Sequence, residues 1–105
     1  MRRGEVYRFR VPKGFGHEQQ GERYGVVVQA DELLPRSVVL VAPTSRSAQA
    51  ASFRPKVTVA GDDTRVLVEQ VGAVDVQGLG KRVGRLGAEE MWAIDEALMT
   101  VLGLD

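Results

Sequence analysis

The sequence contains no cysteine, a single histidine and only six aromatic residues among 105. The absence of cysteine excludes disulfide scaffolds, thiolate zinc sites and cysteine nucleophiles, and it suits a reducing cytoplasm. A single histidine excludes a nuclease that depends on a pair of histidines within one protomer. No apolar run approaches the ~20 residues that cross a bilayer, and the start of the chain lacks a hydrophobic signal core. We therefore expect a cytoplasmic protein without membrane contact, folded as a single domain over residues 1–105.

The formal net charge of zero conceals an uneven distribution of charge along the chain. Residues 1–85 carry 14 basic and nine acidic side chains, whereas residues 86–105 carry five acidic side chains and no basic one. Most of the basic residues are arginines, whose planar guanidinium suits the geometry of phosphate. A basic body of this kind can attract polyanions, although ordinary solvated charge would have the same composition.

Short β-branched runs between turn residues dominate the first three quarters of the sequence. Compact or alternating apolar runs of this length are typical of strands, and residues 61–63 form a turn between two of them. Residues 11–22 contain Pro12 and three glycines, which predict a long loop. We predict strands over residues 5–10, 24–29, 37–42, 55–59 and 64–70, with a weaker candidate over residues 71–76.

The last part of the sequence changes to a helical pattern. From Ala88 onward apolar residues recur at steps of three and four, with the charged residues off that stripe or near its start. Gly87 is an acceptable N-cap, Glu90 occupies the capping-box position and Gly103 ends the pattern. Several short strands followed by one amphipathic helix predict a mainly β fold with a C-terminal helix that plugs a curled sheet or partly open barrel.

Three polar clusters lie where a predicted strand begins or ends. Residues 17–23 (HEQQGER) lead into the second strand, residues 43–46 (PTSR) follow the third, and Glu69 and Gln70 end the fifth. Alternation along the fifth strand directs one of these last two side chains toward the core or a cleft, where a carboxylate could accept a proton. The same residues also suit a solvated loop, a turn after Pro43 and a frayed strand end, so local sequence leaves both interpretations open.

Five ordered blocks cover nearly the whole chain: MRRGEVYRF, GHEQQGERYGVVVQAD, VVLVAPTS, VLVEQVGAVD and LGKRVGRLGAEEMWAIDEALMTVLGL. In this order and spacing they resemble the MazF/PemK toxin family. The resemblance implies an SH3-like barrel of the CcdB/MazF type with a C-terminal helix. It further implies a homodimeric toxin that cuts single-stranded mRNA without the ribosome, a cofactor or a metal ion. A cognate antitoxin is the implied partner that neutralises it.

The resemblance also assigns roles to particular residues. Arg23 matches the family's active arginine, Thr44 the threonine at the end of the third strand, and Glu18 the carboxylate of the loop. His17 matches a histidine of the PemK-like branch, and Glu69 aligns with an acidic residue of that branch. These matches place the predicted catalytic residues on two strand ends and one loop.

Two positions depart from the family pattern. Tyr24 stands where the family usually has a proline after the active arginine, and Leu67 stands where PemK-like members have a second arginine. A mechanism that relies on that second arginine cannot operate here. The departure therefore shifts the catalytic weight onto Arg23.

Cleavage of RNA without a metal needs a deprotonated 2′-hydroxyl, a stabilised phosphate and a protonated leaving oxygen. We expect Arg23 and Thr44 to be the essential pair, because a guanidinium and a hydroxyl can both donate to a phosphate. The proton acceptor stays open between Glu18 and Glu69 acting with His17. The residues predicted to contact the substrate are His17, Gln20, Ser45, Phe53 and Glu69.

Two other functions fit the predicted fold. A toxin of the same fold that poisons gyrase would bind protein and would not need the Arg23, Thr44 and Glu18 set. A plain SH3-like adaptor would need an aromatic groove for proline-rich peptides, which six scattered aromatic residues support poorly. Trp92 on the helix is expected to serve packing or dimerisation, and the acidic helix should face away from RNA.

Overall fold

Seven β-strands and one α-helix form the part of the chain described by the structure, a computed structural model covering residues 1–11 and 21–104. Three short turns of 3₁₀ helix lie between strands of this part of the chain, and the α-helix follows the last strand. The elements are β1 (Glu5–Val11), β2 (Gly21–Val27), β3 (Val38–Ser45), β4 (Lys56–Val59), β5 (Asp62–Val66), β6 (Gly72–Asp75), β7 (Leu79–Arg85) and α1 (Ala88–Leu102). The expected mainly β fold with a C-terminal helix is confirmed.

The strands form one antiparallel sheet in the order β4-β5-β3-β2-β1-β7, with β6 pairing with β3 beside this path. Strand β3 joins the two halves of the sheet. Its first half pairs with β6, its middle with β2, and its last two residues with β5. Because one strand changes partners along its length, the sheet curls into a half-barrel. The end of β3 thereby lies at the junction of the two halves.

The curled sheet buries apolar side chains on both of its faces. Val6, Val26 and Val66 pack with Ile94 and Ala97 of α1 on the face that carries the helix. The other face holds a second cluster of Phe9, Val27, Val39, Val41 and Val74. Odd and even positions of β1 and β2 thus serve different clusters, as the two-residue period of a strand requires. In the described residues, no helix has the length and apolar character needed to cross a membrane.

Helix α1 begins and ends as the sequence predicts. The Glu90 carboxylate accepts the Gly87 backbone N–H at 3.0 Å through Oε1 and the Thr58 backbone N–H at 2.9 Å through Oε2. Glu90 therefore caps the helix and also ties its start to β4. Gly103 takes a left-handed conformation (φ 69°), and its N–H reaches the Thr100 carbonyl.

The N-terminal end of β1 is held to β7 by a buried carboxylate. Glu5 accepts the Arg2 backbone N–H at 2.9 Å and the Tyr7 hydroxyl at 2.8 Å, and Arg82 lies 3.2 Å from its second oxygen. Burial acts to raise the pKa of Glu5, but these donors and the Arg82 charge outweigh it and hold that pKa below its ordinary value. Burial and the neighbouring Glu5 together raise the pKa of Tyr7.

The hairpin between β4 and β5 turns one residue earlier than predicted. Val59 pairs with Asp62, so only Ala60 and Gly61 form the turn, and both have positive φ angles of 52° and 85°. A two-residue turn with two positive φ angles matches the twist of the flanking strands. Asp62 and the residue after it consequently belong to β5 instead of to the predicted turn.

Other elements also differ from the sequence prediction. Strand β2 begins at Gly21, inside the predicted loop, and ends at Val27 instead of residue 29. Strand β3 continues through Pro43 to Ser45, because the Pro43 carbonyl still accepts an N–H, from Leu67 at 2.8 Å. The strand predicted over residues 64–70 ends at Val66, and Val68–Gln70 form a 3₁₀ turn, so the alternation argued there is wrong. Strand β7 was missed because its glycines lower β-propensity and its exposed basic residues resemble a loop.

Candidate active site

A cleft of about 370 Å³ opens where the ends of β2 and β3 meet β1 and β5. Its walls are rich in guanidinium and hydroxyl groups and contain one carboxylate among the described residues. The lining residues are Arg8, Arg23, Tyr24, Thr44, Ser45, Arg46, Ser47, Asp62 and Thr64. Three arginines against a single aspartate make this a cleft suited to an anion.

The structure brings Arg23 and Thr44 into the same cleft. The Thr44 hydroxyl donates a hydrogen bond of 3.1 Å to the Tyr24 carbonyl and is almost completely buried. This bond ties the end of β3 to the residue next to Arg23. Strand pairing therefore holds the two predicted catalytic residues in a defined relation.

Gly25 allows β2 and β3 to approach closely beside this site. It pairs with Pro43, and a Cβ atom at Gly25 would lie 2.6 Å from Val41 Cγ1 and 3.2 Å from the Phe9 ring. No side chain larger than hydrogen fits there unless Val41 or Phe9 shifts. The glycine thus sets the position of β2, and with it that of Arg23, two residues away.

Tyr24 and Arg8 form a cation–π pair among the residues that line the cleft. They are register partners across β1 and β2, and the Arg8 guanidinium carbon lies 5.8 Å from the centre of the Tyr24 ring. A guanidinium over a tyrosine ring is a favourable cation–π arrangement. Tyr24, the departure from the family proline, thereby positions a second arginine in the cleft.

The residues after β3 form a polar rim. Ser45 Oγ accepts the Ser47 backbone N–H at 3.3 Å, and Arg46 lies 3.9 Å from Asp62 with both side chains well exposed. An exposed pair at this distance is weak, so Arg46 can turn toward a bound anion. The Thr64 hydroxyl oxygen is buried without a hydrogen-bond partner among the described residues.

Two predicted substrate contacts lie outside this cleft. Glu69 is in the 3₁₀ turn Val68–Gln70, and its Oε2 accepts Arg54 Nε at 2.8 Å and Nη2 at 2.5 Å. Phe53 is half-buried against the helix-side core, with the Arg54 guanidinium 5.7 Å from its ring centre. The structure therefore does not bring Glu69 or Phe53 to Arg23 and Thr44: Glu69 lies in the turn that follows β5, and Phe53 packs against the helix-side core.

Three predicted site residues, His17, Glu18 and Gln20, lie outside the described residues. Their roles stay predictions from the resemblance. Within residues 1–11 and 21–104, no three histidine, aspartate or glutamate side chains are grouped so that they could share a metal ion.

Sequence reasoning missed several residues of the cleft wall, among them Arg8, Arg46 and Asp62. Arg46 belongs to the polar cluster over residues 43–46 at the end of the third predicted strand, but no role in the site was predicted for it from the sequence. Arg8 shares a strand face with Val6, and only the pairing of β1 with β2 shows that it reaches the cleft. Asp62 was assigned to a turn, and its register opposite Val59 moved it onto β5.

The sequence matches known proteins along nearly its whole length. Residues 2–102 match the family model described as PemK-like, MazF-like toxin of type II toxin-antitoxin system. A Mycobacterium tuberculosis protein named as a toxin, without a stated activity, is 44% identical over 105 residues and 97% of both chains. The endoribonuclease MazF9 of the same organism is 30% identical over 115 residues, covering 99% of this chain and 98% of its own.

Solved structures share the fold at lower identity. An endoribonuclease in complex with its cognate antitoxin, from a mycobacterial species, superposes with a TM-score of 0.82 at 19% identity, covering 100% of this chain and 97% of that one. MazF from Deinococcus radiodurans also gives a TM-score of 0.82 at 18% identity, over 98% of this chain and 96% of that one. The half-barrel with a C-terminal helix is thus the MazF fold. Together with the family match over residues 2–102, this makes the chain a member of the PemK/MazF family of toxins of type II toxin–antitoxin systems.

Proposed function

We propose that this toxin is an endoribonuclease that cleaves single-stranded RNA, with mRNA as its target, independently of ribosomes and metal ions. The observation that carries the proposal is the cleft that Arg23, Thr44 and two further arginines line together. Positive charge beside hydroxyl groups is what a phosphodiester needs for recognition. Relatives named as endoribonucleases add support from outside the chain.

The proposed reaction is a transesterification within the RNA. The ribose 2′-oxygen attacks the adjacent phosphorus, the bond from phosphorus to the 5′-oxygen breaks, and the products are a 2′,3′-cyclic phosphate and a 5′-hydroxyl. One proton leaves the 2′-hydroxyl and one reaches the departing 5′-oxygen. Because the attacking oxygen is the 2′-hydroxyl, the substrate must be RNA and not DNA.

Arg23 is proposed to stabilise the negative charge that develops on the phosphate. Its planar guanidinium can donate to two phosphate oxygens at once, and its high pKa makes it a poor proton donor. It therefore acts by electrostatics and not as a general acid. Loss of one such donor typically slows a reaction by roughly 10²–10³-fold.

Thr44 is proposed to hold β3 against β2 beside Arg23 and to contact the phosphate when RNA binds. Its hydroxyl proton is directed to the Tyr24 carbonyl, so donation to a phosphate requires that proton to rotate away. Ser45 and Arg46 follow on the rim and supply further groups for the phosphate. The catalytic weight therefore falls first on Arg23.

Glu18 is our proposed proton acceptor, with His17 and Gln20 as neighbouring substrate contacts. The alternative acceptor, Glu69, is bonded to Arg54 away from the cleft, which argues against it. Asp62 lines the cleft and is the second carboxylate to test. An acceptor at the correct position typically contributes roughly 10²–10⁴-fold to the rate.

We also propose that the toxin is a cytoplasmic homodimer neutralised by a cognate antitoxin. A solved relative in complex with its cognate antitoxin supports the partner. Trp92 is 66% exposed and Leu102 56% exposed on α1, so neither side chain is covered within the chain. Sedimentation of the native chain and of Trp92→Lys tests the dimer. The native chain should sediment as a dimer and Trp92→Lys as a monomer, because a charge in an apolar interface weakens association.

The test of the activity uses purified protein, single-stranded RNA and a metal chelator. The expected products carry a cyclic phosphate and a 5′-hydroxyl, and a 2′-deoxy sugar at the cut position should prevent cleavage. Arg23→Ala should slow cleavage by roughly 10²–10³-fold. The control is Arg85→Ala, which should cleave at the native rate because Arg85 is exposed and lies outside the cleft. Intact RNA together with a trapped gyrase–DNA complex would refute the nuclease and favour the gyrase-poisoning alternative.

A further inference from the structure

A second, smaller cleft lies beside Arg8, on the side that faces away from Tyr24. It measures about 200 Å³ and is lined by Arg8, Phe9, Arg10, Gly78 and Gly80. Arg8 lines this cleft and the Arg23 cleft alike. The two cavities are therefore neighbours that share one guanidinium, and none of the predicted site residues belongs to the second.

The strand order explains why Arg8 lies between the two clefts. Strand β1 is flanked by β2 on one side and β7 on the other, and Arg8 pairs with Tyr24 across the first boundary. Across the second boundary it faces Gly80, where a Cβ atom would lie 3.2 Å from Arg8 Cβ and 3.3 Å from the Arg8 carbonyl oxygen. The absence of a side chain at Gly80 leaves room for Arg8 and for the cleft beside it.

Gly78 forms an open side of the second cleft. Gly78 is exposed, and a Cβ atom built on it would lie in open space, with no atom beyond its chain neighbours within 4 Å. The bare backbone allows close approach by a flat or bulky ligand group. Arg10, an exposed residue of β1, supplies a second cation at the same cleft.

We propose that the second cleft binds a nucleotide of the RNA that flanks the scissile phosphate, so that the strand runs from Arg23 past Arg8 to Arg10. This inference rests on the proposed ribonuclease function. The two clefts together present four arginines and one aspartate among their described lining residues, which favours a chain of phosphates. The glycine-walled space between Arg8 and Arg10 receives the base or sugar of that nucleotide.

Gly78→Val tests this cleft by filling it. The substitution meets no protein atom within 4 Å at Cβ, so the fold should be retained. Gly84→Val is the matched control, because a Cβ there also meets nothing within 4 Å and Gly84 lines neither cleft. Circular dichroism and thermal melting should show both variants folded before any rate is compared.

The substrates are oligoribonucleotides that extend progressively further on either side of a cut site mapped with the native toxin. For the native toxin and Gly84→Val, kcat/KM should rise as the RNA extends on one side. For Gly78→Val, the ratio of the rate on long RNA to that on short RNA should fall by roughly tenfold, as expected for loss of one base contact. Gly78→Ala should give a smaller loss in the same direction.

Arg10→Ala tests the phosphate contact separately. Binding of long RNA with a 2′-deoxy sugar at the cut site is measured against salt concentration. The slope of log affinity against log salt should become shallower by about 0.7, the value for one phosphate contact on a single strand. Arg85→Ala, which lines neither cleft, should keep the native slope.

The outcomes distinguish a failure of the ribonuclease function from a failure of the second cleft as a nucleotide-binding site. A native toxin that cuts no RNA would overturn the ribonuclease function itself. A native toxin that cuts RNA, with equal length dependence in Gly78→Val and Gly84→Val or an unchanged slope in Arg10→Ala, would overturn the second cleft alone. Equal rates on short and long RNA for the native toxin would overturn it as well.

Discussion

Replacement of Glu69 should destabilise the fold and leave catalysis intact. Two nitrogens of Arg54 donate to one Glu69 oxygen at 2.8 and 2.5 Å, and the side chains are only 23% and 25% exposed. The second oxygen of Glu69 is buried without a partner among the described residues. Hydrogen bonds between charged groups contribute about 1.5–3 kcal/mol, and residual solvent access places this pair near 2 kcal/mol. For a chain of this size we expect Glu69→Gln to lower the Tm by about 10 °C.

A double-mutant cycle isolates the interaction from other effects of each substitution. Chemical unfolding of Glu69→Gln, Arg54→Gln and the double variant should give a coupling energy of about 2 kcal/mol. The exposed pair Lys56 and Asp63, 3.6 Å apart and 61% and 63% exposed, is the matched control. Its coupling energy should not exceed about 0.5 kcal/mol. A coupling energy for Arg54 and Glu69 as small as that of the control would show that this pair does not stabilise the fold.

Cleavage kinetics then decide the chemical role of Glu69. Because this carboxylate lies outside the Arg23 cleft, folded Glu69→Gln should cut RNA at close to the native rate. Loss of a proton acceptor would instead slow cleavage by roughly 10²–10⁴-fold. A folded variant that is slowed to that extent would place Glu69 in the reaction and contradict the geometry.

Three further predictions concern Thr44, Gly25 and Glu5. Thr44→Val should lower the free energy of unfolding by about 1 kcal/mol, through loss of the bond to Tyr24, and slow cleavage at saturating RNA; an unchanged rate would remove Thr44 from the site. Gly25→Ala should cost about 1–3 kcal/mol because its Cβ would crowd Val41, and in a urea melt it should cost less in a Val41→Ala background than in the native chain. The pKa of Glu5 in the folded protein is held below its ordinary value, so the stabilisation that it contributes is present above the unfolded pKa and is lost as pH falls through the folded pKa. Native unfolding free energy should therefore fall more steeply with acid than that of Glu5→Gln, and parallel pH profiles would contradict this assignment.

Elements with strong local patterns were predictable from the sequence. The helix over Ala88–Leu102 was predictable because its period, its glycine ends and Glu90 all agree. Strand β1 was predictable from its alternating residues and lies within one residue of its expected bounds. By contrast, β7 contains glycines and exposed cations, so it forms only because β1 offers it a partner.

Some residues of the candidate site were likewise predictable from the sequence, and others depend on the pairing of strands. Arg23 and Thr44 were identified by resemblance to a family, and their residue types alone indicate phosphate chemistry. Arg8 could not be predicted, since its place depends on the pairing of β1 with both β2 and β7. The side-chain alternation predicted at Glu69 was wrong, because a strand was assumed where Val68–Gln70 form a 3₁₀ turn.

Local sequence patterns were enough to predict the helix, most of the strands, the split between a basic body and an acidic end, and the residues able to hold a phosphate. These properties depend on residues close together along the chain. The tertiary structure alone decided that Arg8, Arg23 and Arg46 line one cleft, and that Glu69 binds Arg54 instead. Such groupings arise from strands paired across long sequence separations, and no local pattern records which partners those strands will find.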